Sequence, residues 1–307
     1  MQAKGIRPSL LVIGGSGFVS GTLARAAVSE GYAVTVMTRG TRPLPEGVHA
    51  ITLDRKDRAA FKRAIGDIEG GFDLVVDSIC YDESDALQDI ETFSEISGRF
   101  VFISTDSVYE PSKRTFPQDE VDAAYVREGY GGKKRMAELA FLEAGAAGLR
   151  WTILRPCHIY GPGSHLGCLP RHARDPQLVA KMKLGETLML VGGGRSLQQP
   201  LFVGDLVRTI LACRTNEPSI AGIYNIPGPK AIETRRYFEI IADALGVPCR
   251  FAEESFAPVW ENEPDLRSYL CHRLQAVGRL AASGLPMPQT TPEEGLPLHV
   301  RSVVTGR

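Results

Sequence analysis

The segment Gly14-Gly15-Ser16-Gly17-Phe18-Val19-Ser20-Gly21 joins a short apolar run, Ser9-Leu10-Leu11-Val12-Ile13, to a helical stretch from Val19 to Glu30. No other feature restricts the fold as much. An apolar run without alternation reads as a strand buried on both faces, and such strands belong to parallel sheets covered by helices. The glycines behind it let the chain turn tightly and enter a helix at once, as a βαβ unit requires. Gly31 stops that helix, and Ala33–Thr38 supplies a second, valine-rich run.

Further strands are expected at Val48–Leu53, Asp73–Asp77, Phe100–Ser104, Trp151–Leu154 and Ile223–Ile226. From Pro162 onward glycines and prolines break the pattern, and helices return at Val203–Arg214 and Thr234–Leu245, the latter with Thr234 as N-cap and Gly246 as stop. The tail after Phe251 reads as irregular. The expected class is α/β: a doubly wound Rossmann-type parallel sheet with a smaller, interleaved C-terminal substrate domain. Residues 1–163 and 201–224 would form the dinucleotide-binding part, and 164–200 with 225–307 the substrate-binding part.

Composition narrows the function classes. The 307 residues carry 36 acidic and 35 basic side chains, with no long run of one sign. Proteins that hold nucleic acid by neutralising phosphates show a basic excess, so no nucleic-acid partner is expected. No 18-residue apolar stretch exists, and the start, Met1 to Pro8, lacks a cleavable leader pattern; no membrane partner is expected. Six cysteines are scattered without a Cys-x2-Cys pair, which fits a reducing compartment, with the cytoplasm as the default.

Within the loop, Gly14 permits the turn and Gly17 lets backbone approach a pyrophosphate, while the helix start offers free N–H groups to an anion. Ser16, Phe18 and Val19 complete that cradle. An acidic residue ending the second strand would select NAD(H) by binding ribose hydroxyls. This chain instead reads Val36-Met37-Thr38-Arg39-Gly40-Thr41-Arg42. Arg39, beside Thr38, can pair with a 2′-phosphate, or the arginines are simply solvated loop residues; NADP(H) is favoured over NAD(H).

Tyr130 and Lys134 stand four residues apart, on one face if the segment is helical. A phenol with a pKa near 10 carries protons poorly at neutral pH, and an adjacent ammonium is expected to lower it. Phe102-Ile103-Ser104-Thr105-Asp106-Ser107-Val108-Tyr109 ends another strand in polar groups. Arg155-Pro156-Cys157-His158-Ile159-Tyr160-Gly161-Pro162 does the same one strand later. Both fall at carboxyl ends of expected parallel strands, where such sheets bind ligands.

In these motifs, together with Phe202-Val203-Gly204-Asp205-Leu206, the chain resembles the extended short-chain dehydrogenase/reductase family, the group of NAD(P)-dependent nucleotide-sugar epimerases and dehydratases. The resemblance spans Leu10 to Gly228. It implies an oxidoreductase or epimerase in which Thr105 binds the reacting oxygen, Tyr130 is the acid/base and Lys134 holds the cofactor ribose and tunes Tyr130. It further implies that Asp54 and Arg55 flank the adenine, that Ser78, Ile79 and Cys80 line the cofactor's middle, and that Pro156 and Cys157 face the nicotinamide. Asp106, Ser107 and His158 would touch substrate, a nucleotide sugar or aminosugar-like carbohydrate, and the family commonly forms homodimers.

Two departures stand out. Ser20 occupies the loop's third glycine position. Thr105-Asp106-Ser107 resembles the Thr-Asp-Glu signature of nucleotide-sugar 4,6-dehydratases, but Ser107 cannot be the base that the glutamate supplies. Thr38-Arg39-Gly40 and Asp54-Arg55-Lys56-Asp57 also resemble atypical members related to chloroplast stem-loop-binding proteins. An epimerase that retains its NAD(P), and a non-catalytic NADP-binding or RNA-associated protein, are therefore the alternatives.

Three weaker signals remain. His165, Cys168 and His172 have metal-ligand types, but no paired-cysteine element accompanies them and no metal is expected. Gly192-Gly193-Gly194-Arg195 suits either a second phosphate cradle, with Arg195 on a substrate diphosphate, or a turn between strands. Trp260, Arg267 and Arg273 are candidates for stacking on a ring or pairing with phosphate.

Overall fold

The computed structural model describes residues 7–145 and 148–306; most of the expected leaderless start lies outside them. Seven parallel strands form the central sheet: β1 (Ser9–Ile13), β2 (Ala33–Thr38), β3 (Val48–Thr52), β4 (Leu74–Asp77), β5 (Phe100–Ile103), β6 (Trp151–Pro156) and, later in the chain, β11 (Gly222–Ile226). Their order is β11-β6-β5-β4-β1-β2-β3, so the strand order reverses at β1 and β4. There the carboxyl end of Ile13 is flanked by Met37 on one side and Asp77 on the other. A crevice opens at such a reversal, and ligands of doubly wound sheets bind in it.

Side chains alternate along each strand, which explains the unbroken apolar runs. Leu10 and Val12 point to a face covered by α1 (Phe18–Ser29) and α6 (Val203–Ala212). Leu11 and Ile13 point to the other, covered by α2 (Arg58–Gly66), α3 (Glu83–Phe93) and α4 (Gly129–Ala144). On that second face Phe93, Phe100, Phe141 and Trp151 form a chain of aromatic contacts with centroids 5.5–6.2 Å apart. Each such ring contributes about 1.5–3 kcal/mol by leaving water.

A second core gathers around α7 (Thr234–Leu245), α5 (Leu178–Lys183), β8 (Thr187–Val191) and α10 (Pro292–Thr305). The short strands β7 (Ile159–Tyr160), β9 (Leu197–Gln198), β10 (Leu201–Phe202) and β12 (Ile232–Glu233) stitch it to the main sheet, and β13 (Arg250–Glu254) runs parallel to β8. Leu280, in α9 (Gly278–Ala282), and Leu285 bury in the core of the large sheet. Both belong to the stretch that the expected division gives to the substrate-binding part.

The tail is more regular than its sequence suggests. Besides α9 it holds α8 (Phe256–Asn262) and the 14-residue α10. The start of α10 is written in Thr291-Pro292-Glu293-Glu294: Thr291 caps the helix, Glu294 reaches back to the Thr291 N–H at 2.9 Å, and Pro292 opens the first turn. Pro297 inside the helix masks the periodic pattern. At α7 the N-cap is Glu233 rather than Thr234, whose Oγ1 donates to the Ser196 carbonyl at 3.1 Å; Gly246 ends the helix in the left-handed conformation as expected. No helix among the described residues is long and apolar enough to cross a membrane.

Candidate functional site

A cavity of about 490 Å³ opens at the strand-order reversal. The glycine loop forms one end of it. Gly14 has φ +96°, a conformation that L side chains rarely adopt, and a Cβ there would run into Ile79. Gly14, Gly17, Phe18 and Val19 all line the cavity. The first N–H groups of α1 have no intrahelical partner and face an anion favourably. Ser20 is buried and ties the loop together: its Oγ accepts from the Gly17 N–H at 3.1 Å and donates to the Gly14 carbonyl at 2.7 Å. A hydroxyl thus does with hydrogen bonds what a glycine there would do with close packing. This cradle fits the diphosphate of a dinucleotide.

Ser78 and Ile79 line the next stretch of wall, and Ser78 Oγ donates to the Ile13 carbonyl at 2.9 Å. Cys80 is fully buried behind them and does not line the cavity; burial and the nearby Asp89 and Asp77 raise its thiol pKa well above the ordinary value. Arg55 also departs from expectation, since its guanidinium is buried among Asp77, Asp85 and Asp89 rather than turned toward an adenine site. This hub braces the wall from behind: Asp77 accepts the Ile79 N–H at 2.6 Å and Asp85 the Tyr81 N–H at 3.1 Å. Asp54 is exposed and accepts the Lys56 N–H in a local turn. Ser16 Oγ lies 3.4 Å from Thr38 Oγ1, at the end of β2, and Arg39 is exposed beyond it.

The other end of the cavity brings together Thr105, Asp106, Ser107, Tyr130, Lys134, Pro156, Cys157 and His158. Tyr130 sits in the first turn of α4, half exposed, and Lys134 is buried one turn on. The helix is seated by Gly131, where any Cβ would penetrate the Ser107 carbonyl oxygen. Lys134 Nζ donates to the Ile103 carbonyl at 2.8 Å, and burial lowers its pKa. The Tyr130 hydroxyl is not depressed. Burial, with Tyr81, Tyr269 and Asp106 nearby, pushes it up to about 12, while Arg174 pulls the other way. Burial and these neighbours, rather than Lys134, govern this phenol, and the Lys134 ammonium is directed to the Ile103 carbonyl.

Thr105 Oγ1 accepts the Ser107 N–H at 3.2 Å. Next to it Ser104 Oγ donates to Glu138, which Arg155 holds in a fork at 2.8 and 2.6 Å. Burial alone would raise the Glu138 carboxyl, but Arg155, Ser104 and Arg135 hold it below its usual range. Glu138 follows Lys134 by four residues on the buried face of α4, a charged intrusion visible in the sequence. Asp106 is buried and paired in a fork with Arg273, and Arg114 Nη1 lies 3.6 Å away. Burial would raise its pKa as well; the two arginines overcome this and keep it ionised. Asp106 thus serves here as an ionised anchor for Arg273 and Arg114. His158 lies 3.4 Å from the Tyr237 hydroxyl and is held neutral, its pKa pushed down to about 3 by burial, Arg273 and Arg174. The Cys157 N–H is engaged by the Ile226 carbonyl at 3.2 Å.

Tyr269, Arg273, Leu169 and Arg174 close the far wall. Of these the sequence singled out only Arg273; the rest come from loops with no local signature. Arg195 is exposed and outside the cavity, and Gly192–Gly194 form a turn between β8 and β9. Trp260 stacks on Phe256, and its carbonyl accepts from Arg267 Nε at 2.7 Å, so neither residue lines this cavity. His165 is exposed, Cys168 is buried against Gln198, and His172 lies 3.1 Å from the Met189 carbonyl oxygen. Among the described residues, only Asp77, Cys80 and Asp89 bring candidate metal-ligand atoms within 4.8 Å of one another, and Arg55 already occupies both carboxylates.

Residues 10–227 match the model of the NAD dependent epimerase/dehydratase family. The chain belongs to that family. Among family relatives it is 28% identical over 257 residues to 2'-dehydrokanamycin reductase from Streptomyces kanamyceticus, covering 83% of this chain and 71% of that one. It is 26% identical over 254 residues to the chloroplast stem-loop binding protein of 41 kDa b from Arabidopsis thaliana. That match covers 78% of this chain and 64% of the plant protein's length. UDP-glucose 4-epimerase from Thermotoga maritima superposes with a TM-score of 0.78 at 18% identity, over 97% of this chain and 99% of that one, a likeness of fold. Epimerase/dehydratase family proteins use a nicotinamide dinucleotide, and the glycine cradle fits one.

Proposed function

We propose that the protein is an NADP(H)-dependent oxidoreductase acting on a hydroxyl or ketone of a sugar, either a nucleotide sugar or an aminosugar-like intermediate. The observation that carries this is the convergence of the glycine cradle, Thr105, Tyr130 and Lys134 on one cavity. A bound dinucleotide supplies or accepts the hydride. Thr105 orients the sugar oxygen, and Tyr130 moves the proton between its hydroxyl and that oxygen. Lys134, buried with Nζ toward the same wall, holds the ribose hydroxyls. Arg39 favours NADP(H), since its exposed guanidinium follows β2 where a carboxylate would favour NAD(H).

Ketone reduction is the favoured direction. Burial pushes the Tyr130 hydroxyl up to about 12, so at neutral pH the phenol is in the protonated form from which a ketone reduction starts. The reductase from Streptomyces kanamyceticus supports the same direction and an aminosugar-like substrate. Dehydration is disfavoured, because Asp106 is neutralised by arginines and Ser107 offers no carboxylate. The six unpaired cysteines fit a reducing cytoplasm, and the exposed Leu87 of α3 with Met136 and Leu142 of α4 fits a homodimer.

The deciding experiment follows NADPH and NADH absorbance while keto-sugars, free and nucleotide-linked, are offered in turn. Oxidation of NADPH coupled to loss of a sugar ketone is the expected result. Interconversion of sugar epimers without net cofactor oxidation would replace the reductase reading by the epimerase one. The likeness to a stem-loop binding protein supports a second reading, RNA association; binding that weakens steeply with salt would establish it.

A further inference from the structure

Three cations line the cavity: Lys134, Arg273 and Arg174. Lys134 is engaged by the Ile103 carbonyl and Arg273 by Asp106. Arg174 makes no hydrogen bond or ion pair with the described residues. The loop that carries it is nevertheless pinned on both sides. Arg171 pairs with Glu254 and Glu263 at 2.6–2.9 Å, and His172 sits 3.1 Å from the Met189 carbonyl oxygen. On the other side Asp175 binds Lys181 at 2.7 Å. The acid next in sequence to Arg174 is thereby committed elsewhere. The bracket leaves one cation over the cavity, its guanidinium 5.6 Å from the centroid of the Phe18 ring, the first residue of α1. Its charge reaches inward as far as Tyr130 and His158.

We propose that Arg174 is a clamp for a diphosphate ester, holding the ligand against the N-terminus of α1, beside which its guanidinium lies. Backbone N–H groups and the helix dipole hold the anion at one point, and the guanidinium fork adds a second, charged contact. Two ligands of this site carry that chemistry, the dinucleotide and the nucleoside diphosphate of a nucleotide sugar. Stacking on Phe18 places Arg174 nearer the first. The inference rests on the reading of this cavity as a dinucleotide site.

Its test compares Arg174→Ala and Arg174→Lys with the unaltered protein, by titration calorimetry with NADPH, with NADH, and with UDP in the presence of saturating NADPH. Arg174 is exposed, so the variants should keep the parent melting temperature. Losing a charged hydrogen bond is expected to weaken binding roughly ten- to hundredfold. An equal loss for NADPH and NADH in Arg174→Ala, partly restored in Arg174→Lys, assigns the clamp to the dinucleotide diphosphate. A loss confined to UDP assigns it to the substrate diphosphate. Unchanged binding of all three overturns the proposal, as does a loss for NADPH alone, which would mean a 2′-phosphate contact. If the unaltered protein binds neither dinucleotide, the functional reading fails instead.

Discussion

The two walls of the cavity are built on different principles. The sheet-side wall, from the glycine loop through Thr105 to Lys134, is assembled from short-range pieces. A turn joins one strand to the next helix, and a tyrosine and a lysine share one helix face. The opposite wall, Leu169 to Arg174 and Tyr269 to Arg273, is held by pairs that are remote in sequence. The contrast is sharpest at Asp106, whose partner Arg273 lies 167 residues away. On the function proposed above, the proton-transfer groups occupy the first wall, and the second is where this chain would choose its substrate.

On that division, removing the proton-carrying hydroxyl of the first wall should remove turnover and spare binding. Tyr130→Phe is expected to lower kcat by about 10²–10⁴-fold while dinucleotide affinity, read by titration, stays within about twofold. Turnover that survives the change would remove Tyr130 from the reaction. The pH profile sharpens the point. A donor with a pKa near 12 leaves ketone reduction flat between about pH 6 and 9, whereas alcohol oxidation, which needs the phenolate, should rise about tenfold per pH unit.

Breaking the buried pair that ties the second wall to the first should show as lost stability. Asp106→Asn leaves Arg273 and Arg114 buried without their counter-charge and should cost about 3–5 kcal/mol in denaturant unfolding. Adding Arg273→Gln should recover part of that cost, because the pair is coupled. Additive losses in the double variant would show that the two side chains do not form one unit. Smaller effects are expected at the adenine end. Arg39→Ser should weaken NADPH by about tenfold or more and leave NADH unchanged, and equal affinities in the parent protein would refute the selectivity assigned to Arg39. Smallest of all, Ser20→Gly removes two hydrogen bonds and restores a residue of low steric demand, so unfolding free energy should drop by only about 1 kcal/mol.

The same contrast explains what was legible in the sequence. The sheet could be read because strands buried on both faces leave continuous apolar runs, and the glycine loop could be read because its role is local. Arg55 misled for a physical reason: its position after β3 suits a ligand contact, but three aspartates on β4 and α3 draw it inward. Position alone does not report such a hub. The tail looked irregular because Pro297 breaks the period of α10, although Thr291 and Glu294 spell out its cap. Tyr269 and Arg174 left no trace of their own: Arg273 was singled out four residues from the first and His172 two from the second, but neither loop has a pattern that marks the other two residues.

Gly131 carries a consequence for how freely this protein can change. Its α-carbon lies so near the Ser107 carbonyl that a single methyl would wedge the start of α4 outward. The gap between the phenol and the threonine is therefore set by an atom that is missing. Mutational drift can reshape the remote wall, but at this seam even alanine would push Tyr130 away from Thr105.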